Sequence, residues 1–304
     1  MDAQFVVAIG DNMYDSGVKD VDDPLFDSVF ESAFDAAVLN VPWYVVAGNH
    51  DYYGNVTAQI EYTKKSDRWE FPETYYTRDV SSAGIGNDPE EGDVTALLVM
   101  LDTWTLCGGD THVMWNSDTE KGVLRDRAYS ERFFKDRPAA MAQLDQHFPT
   151  ETTGADDEWL PDEEQWEWLN ATLAAATTQD WVIVVGHFPV FSATVGEHGS
   201  THYLVHKLQP MLRAWAAVHG VGLLYFSGHD HIMQHIMRDD IHYFGNGAGA
   251  QEHVGVNEAF FGLQGYVQGE YGFATHVATK DTLTTSYIAD TGKVSYSYSI
   301  SKAV

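Results

Sequence analysis

Sulfur ligands are almost absent from this 304-residue chain. It holds one cysteine, Cys107, so no intrachain disulfide can form, and thiolate zinc sites and iron–sulfur clusters are excluded. Any bound metal must be held by oxygen and nitrogen. Positive charge is scarce too: 17 Lys+Arg stand against 45 Asp+Glu, a net charge of −28. A nucleic-acid binder carries the opposite sign, so no nucleic-acid partner is expected. An anionic substrate would be repelled at long range, and a site for one needs local positive charge, for which bound metal ions are the obvious source. The acidity fits simple solubility, or adaptation to salt or to an acidic compartment. No apolar run is long enough to span a bilayer as a helix, and no membrane partner is expected. The chain enters its first strand within a few residues, with no signal-peptide pattern before it.

Apolar and aromatic residues are plentiful. The chain is 44% hydrophobic and holds 9 Trp, 16 Tyr and 15 Phe, enough for one large α/β domain. Near-continuous apolar runs at residues 4–9, 43–47, 96–101, 181–185 and 222–226 predict strands buried on both faces. Residues 271–278, 282–288 and 293–300 alternate and are rich in Thr, Ser and Tyr, which predicts antiparallel strands, the last two joined at Asp290–Gly292. Between them lie helical patterns. Asp23 and Pro24 open one whose apolar face is Phe26, Val29, Phe30, Ala33, Phe34, Ala37 and Val38. Pro161-Asp162-Glu163-Glu164 opens another, with Trp166, Leu169 and Leu173 inward. A third covers 204–218 with Gly220 beyond its end, and Pro210 should kink it or reset its start. Residues 80–93 and 108–157 read as loop insertions, the longer with a short helix near 132–148. No linker divides the chain, so residues 1–304 are expected to form a single domain, α/β or a mixed sandwich.

Four predicted strands end in a glycine followed by polar residues: Gly10-Asp11, Gly48-Asn49-His50, Gly186-His187 and Gly228-His229-Asp230-His231. Ligand sites in α/β sheets form outside the carboxyl ends of strands. Each block alone has a plainer reading. Gly-Asp is a common turn, Asn-His-Asp can cap a helix, and His187 can be a core histidine bonded to a carbonyl. Paired histidines are often surface residues, although i and i+2 share a face of an extended segment. Together, Asp11, Tyr14, Asn49, His187, His229 and His231 offer six oxygen or nitrogen donors, which suit two hard or borderline ions, with Asp11 able to bridge them.

The wording around these blocks carries a resemblance. GDNMY, VPWYVVAGNHDYYGNV, VVGHFPVFS, EHGSTH and SGHDH, with YYGNVTAQIEYTKKSDRWEFPETYY and LDTWTLCG, resemble the tartrate-resistant, type 5 purple acid phosphatases of the calcineurin-like metallophosphoesterase superfamily. The resemblance implies a four-layer sandwich of two mixed β-sheets flanked by helices. It implies an acid phosphatase that hydrolyses phosphate monoesters by attack of a metal-bound hydroxide, with small phosphorylated substrates or phosphoproteins as partners. Asp11 would bridge the ions. Tyr14 and His231 would bind Fe(III). Asn49, His187 and His229 would hold a divalent Fe, Zn or Mn ion. His50 and His198 would contact phosphate and protonate the leaving group. A monomer, secreted or lysosomal/vacuolar, is implied as well, and the sequons at Asn55 and Asn170 are in keeping with a glycoprotein.

Three departures from that family stand out. Its earlier Asp-Trp-Gly block, which supplies an iron ligand, has no counterpart here. A chain N-terminally incomplete, without the first strand and helix, is therefore expected. Cys107 has lost the partner that relatives carry in the segment matching residues 201–204, here THYL. The loop at 108–157 is longer, and proteolytic cleavage within it is expected to raise turnover. Two other functions stay open at this point: a phosphodiesterase or nucleotide hydrolase using the same site, and a non-catalytic, truncated metal-binding homologue.

Overall fold

The computed structural model describes residues 3–84, 87–107, 162–195, 199–201, 203–220, 222–250 and 255–302, together with the backbone of two strands between them. In chain order the strands are β1 (Val6–Ile9), β2 (Trp43–Val46), β3 (Trp69–Glu70), β4 (Tyr76–Ser81), β5 (Thr95–Met100), β6 (Val113–Asn116), β7 (Lys121–Leu124), β8 (Trp181–Val185), β9 (Leu223–Ser227), β10 (Met233–Arg238), β11 (Ile241–Asn246), β12 (Leu263–Val267), β13 (Gly272–Ala278), β14 (Thr282–Ala289) and β15 (Val294–Ser301). The α-helices are α1 (Asn49–Tyr52), α2 (Val56–Tyr62), α3 (Thr103–Leu106), α4 (Glu163–Ala175) and α5 (Gln209–His219).

A seven-stranded mixed sheet, ordered β12-β10-β11-β9-β8-β5-β4, forms the centre. Its strands alternate between two cores, as a period of two requires. Leu97, Val99, Val182, Val184, Leu223 and Tyr225 meet Trp166, Leu169 and Leu173 of α4 and Leu212 of α5. Leu98, Met100, Ile183, Val185, Leu224 and Phe226 meet the other layer. That layer contains a parallel sheet, β1-β2-β3, and an antiparallel one, β13-β14-β15. The expected mixed sheets flanked by helices are present, and the second layer is built from these two three-stranded pieces.

The structure corrects several expectations. β1 is half-buried along its length, not buried on both faces, because it lies at a sheet edge with β2 beside it. The long helix expected after Asp23 is a single wide turn, Phe26–Glu31, and a separate short turn at Ala37–Leu39. Arg68 explains the break: its guanidinium donates to the carbonyls of Glu31 (3.2 Å) and Phe34 (2.5 Å). Phe26 and Phe30 still pack inward, stacking on Tyr62 and meeting Trp69 and Trp43 edge-on. Within the expected loop 108–157, β6 and β7 form an antiparallel pair. The helix expected near 132–148 lies outside the described residues.

Other expectations hold. Asp162 caps α4 through Gln165 N (2.9 Å). Pro210 resets the third helix: a wide turn, Leu204–Leu208, precedes it and α5 starts beside it. Gly220 ends α5 at φ 77°, where a side chain would be strained.

Candidate metal centre

The carboxyl ends of β1, β2, β8 and β9 lie together. Close approach of the first two loops depends on glycine. A Cβ on Gly48 would fall 2.2 Å from Asp11 Oδ1, and one on Gly10 would fall 2.5 Å from the His187 ring. Asp11 itself is left-handed, φ 54°, a conformation that costs a non-glycine residue about 1–2 kcal/mol. That strain aims its carboxylate at the other loops.

Asp51 locks this arrangement. It is fully buried and accepts from the backbone N–H groups of Asn12, Met13 and Gly48, from Asn12 Nδ2, and from Gln59 Nε2, at 2.8–3.2 Å. One carboxylate thus ties the loop after β1 to the loop after β2. Burial and the nearby charge of Asp11 push its pKa up.

The side chains fall into two groups that share Asp11. In the first, His187 Nε2 lies 3.2 Å from Asp11 Oδ2, 3.2 Å from Asn49 Oδ1 and 3.2 Å from His229 Nδ1. In the second, the Tyr14 hydroxyl lies 3.0 Å from Asp11 Oδ2 and 3.3 Å from His231 Nε2. His229 and His231, two residues apart, therefore serve adjacent groups. His187 donates through Nδ1 to the Ile9 carbonyl (2.9 Å), because a carbonyl can only accept. In its neutral form Nε2 is then unprotonated and faces two acceptors, Asp11 Oδ2 and Asn49 Oδ1, so its lone pair is available to a cation among them. Its backbone N–H and that of Phe188 both donate to Thr103 Oγ1, at 3.1 Å.

The electrostatics match a site built around charge. Burial alone would raise the Asp11 pKa, but His187 and His50 bring it down to about 2. Burial alone would lower that of His187, and Asp11 reverses this and raises it. Burial and Asp11 push the Tyr14 phenol well above its usual range, so its ionisation requires a cation beside it. The donors fit such cations. Oxygen and nitrogen ligands at about 2.0–2.2 Å from an ion are spaced about 2.8–3.1 Å from one another at right angles and about 3.3–3.6 Å at the tetrahedral angle, and the 3.0–3.3 Å separations here fall in that span. Asp11, His187 and His229 form the group of metal-ligating residue types found among the described residues.

His50 stands beside this cluster. Its Nδ1 donates to the Asp15 carbonyl (2.6 Å), and its backbone N–H to Asp11 Oδ1 (2.8 Å). Its ring lies between Tyr14 and Tyr53, 4.5 and 5.2 Å away. His198 lies outside the described residues. Sequence reasoning passed over the supporting groups Asp51, Thr103 and Asp102. Asp102 accepts from Tyr52, Trp104 N and Thr105 N, and burial pushes its pKa up to about 6. Asp51 and Asp102 lie in the quoted motifs, which was the available signal.

The calcineurin-like phosphoesterase family pattern matches residues 1–233. Tartrate-resistant acid phosphatase type 5 of Homo sapiens is 35% identical over 300 residues, covering 96% of this chain and 77% of its own. Purple acid phosphatase 4 of Arabidopsis thaliana is 28% identical over 255 residues, covering 83% of this chain and 60% of its own. In fold, the chain is similar to Plasmodium GAP50, described as the anchor in the inner membrane complex. The TM-score is 0.70 at 21% identity, over 99% of this chain and 79% of that one.

Proposed function

The chain belongs to the calcineurin-like phosphoesterase family, in the branch of the tartrate-resistant and purple acid phosphatases, and we propose that it is a binuclear metal-dependent acid phosphatase acting on phosphate monoesters. One observation carries this reading: Asp11 is shared by two adjacent donor groups, Asn49–His187–His229 and Tyr14–His231. The first group would hold a divalent iron, zinc or manganese ion, and the second ferric iron. Bound there, the ions supply Lewis acidity, neutralising phosphate oxygens and acidifying water at neutral or acid pH.

The chain's own residues position and move protons. Asp11, held by the His50 N–H and flanked by both groups, fixes their separation. The Ile9 carbonyl keeps His187 in the tautomer that offers Nε2. His50 donates a hydrogen bond from Nδ1 to the Asp15 carbonyl, which leaves Nε2 as the atom that would pass a proton to the departing oxygen. His198 is assigned to phosphate contact and to the same proton transfer. Substrates are small phosphorylated molecules or phosphoproteins. The protein is read as a monomer, secreted or lysosomal/vacuolar; no helix among the described residues is long and apolar enough to cross a membrane.

The test is turnover of a chromogenic phosphomonoester at about pH 5 by protein loaded with iron and zinc, with the visible spectrum recorded alongside. Turnover and a tyrosinate-to-iron band are expected. Colourless, inactive protein with full iron and zinc occupancy would refute the proposal. A second reading, a metal-binding protein without turnover, draws support from the asymmetry of the groups. Among the described residues, and counting Asp11 in both, the first has four donors and the second three. Zinc binding without iron binding or hydrolysis would favour it.

A further inference from the structure

Asp230 lies between His229 and His231 yet belongs to neither donor group. Its Oδ2 accepts from Thr194 Oγ1 at 2.6 Å. A hydroxyl has one hydrogen, and Thr194 gives its own to the carboxylate. The 2.9 Å contact between Ser192 Oγ and Thr194 Oγ1 must therefore run from Ser192 to Thr194. Ser192 Oγ in turn accepts from Gln234 Nε2 at 2.8 Å. The result is a relay with one direction: Gln234 to Ser192 to Thr194 to Asp230. It is closed from behind, because Gln234 Oε1 accepts from Ala193 N at 2.9 Å. Asp230, Ser192 and Gln234 are at most 3% exposed and Thr194 is half-buried, so the Gln234–Ser192 bond is shielded from competing water and the two bonds of Thr194 are partly so.

The relay joins two stretches that carry metal-donor candidates. Ser192 and Thr194 lie shortly after His187, and Gln234 lies three residues after His231. The same stretch is held from outside by Asn257 N, donating to the Ala193 carbonyl (2.8 Å), and by Val195 N, donating to Gly255 (3.1 Å). Partners beyond the ligands themselves fix ligand orientation and commonly decide metal affinity. We propose that Asp230 and Thr194 are positioning residues: their hydrogen bond clasps the segment after His187 to the turn bearing His229 and His231, and thereby sets the spacing of the metal donors. This rests on the reading of those histidines as ligands.

Zinc affinity tests it, by competition with a chromophoric chelator, alongside the melting temperature of the metal-free protein. Thr194→Val keeps the shape and removes the hydroxyl, and should weaken zinc binding about tenfold. Thr194→Ser keeps the hydroxyl and should stay within about twofold. Ser192→Ala cuts the relay one link earlier and should fall between them. Wild-type affinity in Thr194→Val overturns the clasp, as does an equal loss in Thr194→Val and Thr194→Ser. If Thr194→Val does not fold, Ser192→Ala decides: wild-type affinity there overturns the clasp, and weakened affinity with an unchanged metal-free melting temperature supports it. A phosphatase assay on the same samples separates the two proposals. The expected order of zinc affinities without turnover leaves the clasp standing and removes the phosphatase reading. A wild-type chain that binds no zinc removes both.

Discussion

Asp51 shows how much of a site can rest on one side chain that never meets a substrate. Its two oxygens collect five donors from two loops and from α2. Replacing it with alanine strands those donors in a site closed to water, where each unsatisfied group is costly. Asp51→Ala should lose about 3–5 kcal/mol of stability, read from the urea midpoint of the metal-free protein. A loss under about 1 kcal/mol would mean that the loops hold each other without it. The role of Asp51 was not legible in the sequence. Gly-Asn-His-Asp announces a polar turn, but which atoms converge on a buried carboxylate depends on partners 38 and 39 residues away. That Asp11, Asn49, His187 and His229 converge was legible, because polar residues placed just after apolar strands leave a pattern in the chain itself.

At the scale of elements, the β10–β11 hairpin turns on Asp239 and Asp240, both left-handed at φ 52° and 59°. Two such residues between paired strands make the turn whose twist matches the strands, and glycine suits its second position better. Asp240→Gly should stabilise the protein by about 1 kcal/mol, seen as a higher urea midpoint. The Asp-Asp pair was a readable signal. β10 itself was not, because it carries Gln234 and His235 inward. β12 was obscured by Gly265, where a Cβ would fall 2.3 Å from the Tyr296 ring.

His235 and His242, on these two strands, are buried and bonded ring to ring at 2.8 Å, with Tyr296 on the far side of His235 at 2.8 Å. Burial lowers the pKa of His235 to about 3, helped by His242. Burial also lowers that of His242 to about 4, against the opposing charge of Asp240. The unfolded chain takes up these protons below pH 6.5, while the folded chain does not until near pH 4. Protons therefore favour the unfolded state across that window, by up to about 1.4 kcal/mol per pH unit for each ring. The contribution of this pair should therefore fall as pH drops from 6.5 to 4, opposed by Asp51, Asp102 and His187, whose raised pKa values favour the folded state as pH falls. It is read as the difference in urea midpoint between the metal-free wild type and a His235→Gln/His242→Gln variant: the wild type should lose ground to the variant as pH drops, and a difference constant across that range would contradict this.

At the scale of the molecule, the layers follow from the apolar runs that the sequence displays, and the departures lie at the margins. β1 reads like a central strand but stands at an edge, and sequence alone does not say which side of a strand is covered. The net charge of −28 acts on the whole surface. Mutual repulsion weakens the compact state, and salt screens it over about 10 Å at 0.1 M. The midpoint of thermal unfolding at neutral pH should rise when sodium chloride is added up to about 1 M, and a falling midpoint would contradict the repulsion argument. The same charge makes a local cationic centre a condition for holding phosphate. The central claim is therefore that two ions sit on either side of Asp11. Anomalous X-ray scattering from crystals of protein loaded with iron and zinc tests this most directly. Two peaks are expected, one among Asn49, His187 and His229 and one beside Tyr14 and His231, with the Asp11 carboxylate between them; a single peak, or peaks elsewhere, would contradict the account.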